Sequence, residues 1–173
     1  MKTLRLLFAV FGLASCGALR ADDTTPAPRV DVVYVNPEKF TDVSDSYYFR
    51  DQGRDEHLSD LKGHIEKRAN KYIPAGQHLA LHITDVKLAG SFEPWRGPNF
   101  DDIRIVKDIY PPRINLEFKL TDANGKILKE GKRHLTDINF LSTINMYFPD
   151  DTLRYEKQLL DDWFRNEMGL VNR

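Results

Sequence analysis

Between Arg113 and Thr121 the apolar residues Ile114, Leu116, Phe118 and Leu120 alternate with Asn115, Glu117, Lys119 and Thr121. A period of two over this length demands a strand with one face buried and the other wet, as in an antiparallel sheet. Asn124-Gly125 follows at once, the pair that favours a tight hairpin because both central residues can take positive φ. The return strand, Lys126 to about Leu135, is rich in lysine and interrupted by Gly131, as suits an edge strand protected by charge. A second alternation, Leu79, Leu81 and Ile83, changes phase at Thr84-Asp85, so that Val86 and Leu88 fall on the opposite face. A bulge or a strand end there accounts for the change.

Other segments attach to this sheet. Val30 to Val35 is β-branched and aromatic and stops at Asn36-Pro37, which predicts a further strand. Leu58, Leu61, Ile65, Ala69 and Tyr72 recur at helical spacing and predict a helix over Glu56 to Ile73, capped near Asp55 and ended by Pro74. Leu153, Leu160, Trp163, Phe164 and Met168 predict a second helix over Asp151 to Met168, with Asp150 or Asp151 as cap and Gly169 as stop. Tyr47, Tyr48 and Phe49 are placed to cover a core edge, while 138–148 is apolar without a clear period. The expected fold class is α+β: a single antiparallel sheet of about four strands in the order β-α-β-β-β-α, with two amphipathic helices packed on it.

The 173 residues suffice for one domain. Lys2 and Arg5 precede an apolar run, Leu6 to Ala14, which has the form of a secretory signal and is too short to span a bilayer. Two processing routes are open. Leu13-Ala14-Ser15-Cys16 resembles a bacterial lipobox, in which Cys16 is acylated. Cleavage after Ala18 or Ala21 would instead leave a polar leader. The expected organisation is a signal peptide over 1–21, a flexible leader over 22–29 and one domain over 30–173, in an exported, periplasmic or outer-membrane-associated protein. No other segment approaches transmembrane length. Cys16 is the only cysteine, so disulfides and thiol catalysis are excluded. Without the first 21 residues the 25 basic residues fall to 22, against 26 acidic ones. That balance argues against a nucleic-acid partner.

Few residues point to chemistry. His57 and His64 lie roughly 10 Å apart on a helix, and His78 and His82 about 13 Å apart on a strand. Neither pair can clasp a metal, so no metal or cofactor is expected and these histidines fit surface or edge positions. HExxH, GxSxG and phosphate-loop motifs are lacking. The long segment over 89–113 is different. It joins two strands, and it is too apolar to be a disordered linker and too long for a plain turn. Trp95, Arg96, Phe100, Arg104 and Lys107 are its candidate binding residues, with Trp95 either an exposed anchor or a lid on the core. Ile105, Ile109 and Tyr110, beside Pro111-Pro112, are expected to pack down. Asp101-Asp102 favours an ion-pair network pinning the loop over acid-base chemistry; Glu93, Asp101 and Asp102 are the carboxylates of the alternative, an envelope hydrolase. Asp150-Asp151 and Asp161-Asp162 fit helix-cap and solvent-face positions.

Five stretches carry a resemblance: NPEKFTD (Asn36 to Asp42), ITDVKLAG (Ile83 to Gly90), IRIVKDIYPPRI (Ile103 to Ile114), KILKEG (Lys126 to Gly131) and LRYEKQLLDDWF (Leu153 to Phe164). Together they resemble the bacterial exported domain-of-unknown-function family DUF3016, in order through nearly the whole mature chain. The resemblance implies an envelope protein and supplies no catalytic residues. The expected function is a non-enzymatic binding or assembly module whose partner is an envelope protein or a cell-wall carbohydrate.

Overall fold

The computed structural model describes residues 29–97 and 100–169. The signal segment, the lipobox with Cys16, and residues 22–28 of the leader lie outside them. Among the described residues the order is β1 (Val30–Tyr34), α1 (Arg54–Tyr72), β2 (His78–Lys87), β3 (Ser91–Phe92), β4 (Arg104–Ile105), β5 (Arg113–Thr121), β6 (Ile127–Thr136) and α2 (Arg154–Trp163). A π-helical turn, Phe164–Met168, continues α2.

The main sheet has the order β1-β2-β5-β6. β5 is antiparallel to both neighbours, but β1 runs parallel to β2, from Val30 opposite Leu79 to Tyr34 opposite Ile83. The expectation of a single antiparallel sheet is therefore corrected twice. The main sheet is mixed, and β3 and β4 pair as a separate two-stranded sheet inside the long loop. The first correction has a plain cause: β1 and β2 are joined through a 19-residue helix, the kind of crossover that parallel neighbours require.

Two local irregularities set the register. Ile83 faces Leu116 while Asp85 faces Asn115, so Thr84 is the extra residue of a bulge and Val86 returns to the core. At the β5–β6 turn Gly125 has φ +79°, but Asn124 does not share the positive φ expected of it. Asp122 Oδ1 instead accepts the backbone N–H groups of Asn124 and Lys126, and the register shifts between Leu120 and Thr121. The connection is a longer hairpin with a single left-handed glycine.

Both helices cover one face of the sheet. Leu58, Leu61, Ile65 and Ala69 of α1 and Leu159, Leu160, Trp163 and Phe164 at the C-terminal helix meet Leu79, Leu81, Ile83, Ile114, Leu116 and Leu120 in one core. The opposite face, with His78, His82, Lys119 and Lys132, is exposed. Gly53, at φ +72°, takes the N-cap of α1 among the residues just before Asp55, with no side-chain cap, and Asp151 accepts Leu153 N–H ahead of α2 without capping it. Gly169 closes the π-helical turn at φ −65°, its N–H donating to Phe164 O.

Candidate functional site

Three irregular segments start or finish at one end of the main sheet. Residues 35–53 follow the end of β1, 88–112 join the end of β2 to the start of β5, and 137–153 follow the end of β6. They hold twelve of the fifteen exposed large hydrophobic side chains among the described residues; Val33, Ile127 and Leu128 are the others. Tyr47, Tyr48 and Phe49 are in that exposed set, so they do not cover a core edge.

The long loop is fastened at its root. Gly90 N–H donates to Tyr110 O at 2.9 Å, and Ala89 N–H to Glu156 Oε1 at 2.6 Å, which ties the loop to α2. Gly90 has φ +86°, and a Cβ there would lie 2.9 Å from Ile105 O, so the close return of the chain needs glycine. Arg104 donates to both carboxylate oxygens of Asp42 at 2.8 Å and to Ser44 O at 2.7 Å, while its guanidinium lies 4.5 Å over the Phe92 ring. Burial pushes the Lys87 ammonium below its usual range, and it points to the carbonyls of Leu88, Gly90 and Pro111. Glu156 is fully buried; burial pushes its carboxyl up, and Oε2 has no partner among the described residues.

Within the loop a second clasp forms around Glu93, which is only 2% exposed. Its Oε1 accepts from Lys107 Nζ at 2.6 Å and Tyr110 Oη at 3.1 Å, and its Oε2 accepts from Arg96 Nε. The Lys107 hydrogen bond, aided by those of Arg96 and Tyr110, outweighs burial and holds this carboxyl below the usual glutamate range. Trp95 sits on the 3₁₀ turn Pro94–Arg96 directly after this clasp and is 73% exposed. Its backbone is held while its indole faces solvent.

The expected site residues therefore divide. Trp95 and, in part, Arg96 face outward; Arg104 and Lys107 are engaged in the two clasps, and Phe100 is half-buried. The pinning role expected of Asp101-Asp102 falls to Glu93 and Asp42. Asp101 contributes its main-chain oxygen to Tyr47 N–H, and Asp102 is exposed. Ile109 does not pack down: it is 66% exposed, its N–H taken by Asp108 Oδ1 in a turn that closes from Tyr110 N–H to Lys107 O.

Sequence reasoning missed a further cluster between the helices. His64 Nε2 lies 2.8 Å from Asp161 Oδ1, Arg68 donates to both oxygens of Asp161, and Tyr147 Oη donates to Asp161 Oδ2 at 2.7 Å. Burial pushes the Asp161 carboxyl up, but the hydrogen bonds from His64, Tyr147 and Arg68 outweigh it and hold the group below the usual aspartate range. Burial, with the Asp161 carboxylate beside it, pushes the Tyr147 phenol up to about 12. His64 and Asp161 are thus buried, not at the surface as expected, and so is His57, 2.7 Å from Asp45. The available signal was position: His57, His64 and Arg68 recur at helical spacing along the edge of the apolar stripe, next to its Leu61.

Among the described residues no group of three or more His, Cys, Asp or Glu side chains converges as a metal site, and no helix is long and apolar enough to cross a membrane. Among the described residues the hollows include one of about 430 Å³ on the open sheet face beside His82 and Glu117 and one of about 230 Å³ beside Arg50, Lys87 and Ser91. Neither is lined by Glu93, Asp101 or Asp102. Comparison with curated proteins and with solved structures finds no match. A family model described as "Protein of unknown function (DUF3016)" matches residues 28–166, which span the sheet, both helices and all three irregular segments, and the chain belongs to that family.

Proposed function

We propose that this chain is an exported, envelope-located binding or assembly module without catalytic activity, acting through the 89–113 loop. The observation that carries the reading is Trp95: a largely exposed indole on backbone that the Glu93 clasp holds in place. Such a side chain buries a large area on contact and loses little freedom, because its frame is already ordered. An envelope protein or a cell-wall carbohydrate supplies the apolar or ring face that an indole takes. The hydrolase alternative has less support. Glu93 is held ionised by three donors, which suits a structural clasp better than proton transfer, and Glu93, Asp101 and Asp102 line neither of the two hollows described. The experiment is crosslinked capture from envelope fractions with wild type and Trp95→Ala. Loss of the captured species with an unchanged melting temperature supports the reading; undiminished capture by Trp95→Ala rejects it.

A further inference from the structure

The hollow of about 230 Å³ lies where residues 41–50, the end of β2 and β3 come together, with Asp42, Ser46, Arg50, Lys87 and Ser91 in its wall. Positive charge outweighs negative around it. Arg104 takes both oxygens of Asp42 at 2.8 Å. Arg113 reaches Asp85 Oδ2 at 3.4 Å, and Asp85 also accepts the N–H and the hydroxyl of Thr41. Lys87 and Arg50, by contrast, have no carboxylate partner among the described residues. Arg50 donates to Thr41 O at 2.5 Å. Lys87 Nζ has the carbonyls of Leu88, Gly90 and Pro111 at 3.4, 3.4 and 3.3 Å, which is long for a cationic donor. Burial, reinforced by Arg104 and Arg113 and opposed by Asp42 and Glu156, holds this ammonium below its usual range. Glu156 offsets little of the charge, because burial pushes its own carboxyl towards the uncharged form. Hydroxyl protons are left over as well. Ser46, 1% exposed, accepts Phe49 N–H at Oγ but donates to no acceptor among the described residues, and Tyr47 Oη, also of the wall, has no hydrogen bond there.

We propose that this hollow is a binding site for a phosphate group, with Lys87 and Arg50 supplying the charge and Ser46 and Tyr47 the hydroxyl donors. Its volume falls below the roughly 300–1,000 Å³ of sites for drug-sized ligands, so it takes a small group. The cations without carboxylates make that group an anion. An ammonium, a guanidinium and hydroxyls arriving from separate segments surround a compact ion with acceptors on several sides. A phosphate group offers that, whereas a planar carboxylate presents its oxygens along one edge. The wall is ordered before any ligand arrives. Arg104 stacks over the Phe92 ring at 4.5 Å while it grips Asp42 and Ser44 O, which fixes β3 against residues 42–44. The same donors serve inorganic phosphate and a phosphomonoester. This site lies at the root of the long loop but does not include Trp95, and neither reading depends on the other.

The test is isothermal titration calorimetry of the full chain at pH 7 with inorganic phosphate, glycerol 3-phosphate and acetate, at matched ionic strength. Saturable binding of a phosphate probe is expected, with acetate about tenfold weaker or worse. Tighter binding of glycerol 3-phosphate assigns the site to an ester, and tighter binding of inorganic phosphate assigns it to the free ion; either result supports the inference. Lys87→Met keeps the apolar stem and removes a half-buried cation, so the fold should hold while phosphate affinity falls about tenfold or more. Arg50→Gln changes an exposed residue and should read the same loss independently of folding. Thermal melts give a second measure. Concentrated phosphate stabilises folded proteins in general, so the site's share is the part of the shift that wild type shows and Lys87→Met lacks. No saturable binding of either phosphate probe overturns the inference. So does acetate binding as tightly, or affinities and melting shifts that are equal in wild type and both variants.

Discussion

Asp161→Asn tests the cluster that holds the two helices and the 138–148 loop together. The substitution keeps the shape of the side chain and removes the charge that Arg68, His64 and Tyr147 share. Breaking a fully buried ion pair by neutralising one partner costs about 3–5 kcal/mol, because the other charge is left buried. Here the Arg68 side chain keeps 23% of its exposure and can recruit water, so the expected loss is roughly 2 kcal/mol. For a chain of this size that lowers the melting temperature by about 4–8 °C at pH 7. The pH dependence has a definite sign. The folded-state pKa of Asp161 lies below its unfolded value, so its contribution is complete above the unfolded pKa and is lost as pH falls through the folded one. Wild type should therefore exceed the variant equally at pH 7 and pH 5 and converge on it below about pH 4. Thermal melts across that range decide the matter. A variant that melts with wild type at pH 7, or a gap that widens towards acid, would refute the reasoning.

Trp163→Ala removes an indole packed edge-on against Phe118 and Phe164 and should cost about 3–5 kcal/mol, whereas Ile109→Ala, on an exposed side chain, should stay within about 0.5 kcal/mol; urea unfolding separates the two. Gly125→Val places a β-branched residue at φ +79° and should lose more than about 1 kcal/mol by the same measurement, and a wild-type midpoint would contradict the turn geometry. Gly90→Ala drives a methyl group against Ile105 O, so the β3–β4 pairing should loosen; faster amide exchange at Ile105 is the expected readout, and unchanged exchange is the contrary one.

The elements were largely legible in the sequence because each has a period or a breaker that local physics enforces. The bulge at Thr84 showed as a phase change, and the edge character of β6 as its lysines. The direction of β1 was less legible: alternation in β2 and β5 says nothing about the strand on the far side of β2, and only the helical crossover implies a parallel pair. The loop illustrates the deeper limit. A pinning network could be expected from its charges, but the choice of Glu93 over Asp101-Asp102 depends on contacts with Lys107, 14 residues away, and Tyr110, 17 away. Ile109 looked apolar enough for burial, yet a turn fixed by Asp108 aims it at solvent. Asp161 looked like a solvent-face acid until Arg68, 93 residues distant, was brought against it.

The central claim is that Trp95 marks the surface a partner covers. Replacing Trp95 by a photoreactive phenylalanine analogue in intact cells tests it most directly, with Lys119 on the open sheet face as the comparison position. A discrete crosslinked adduct from position 95 and none from position 119 is the predicted result. No adduct at 95, or equal adducts at both positions, would contradict the account.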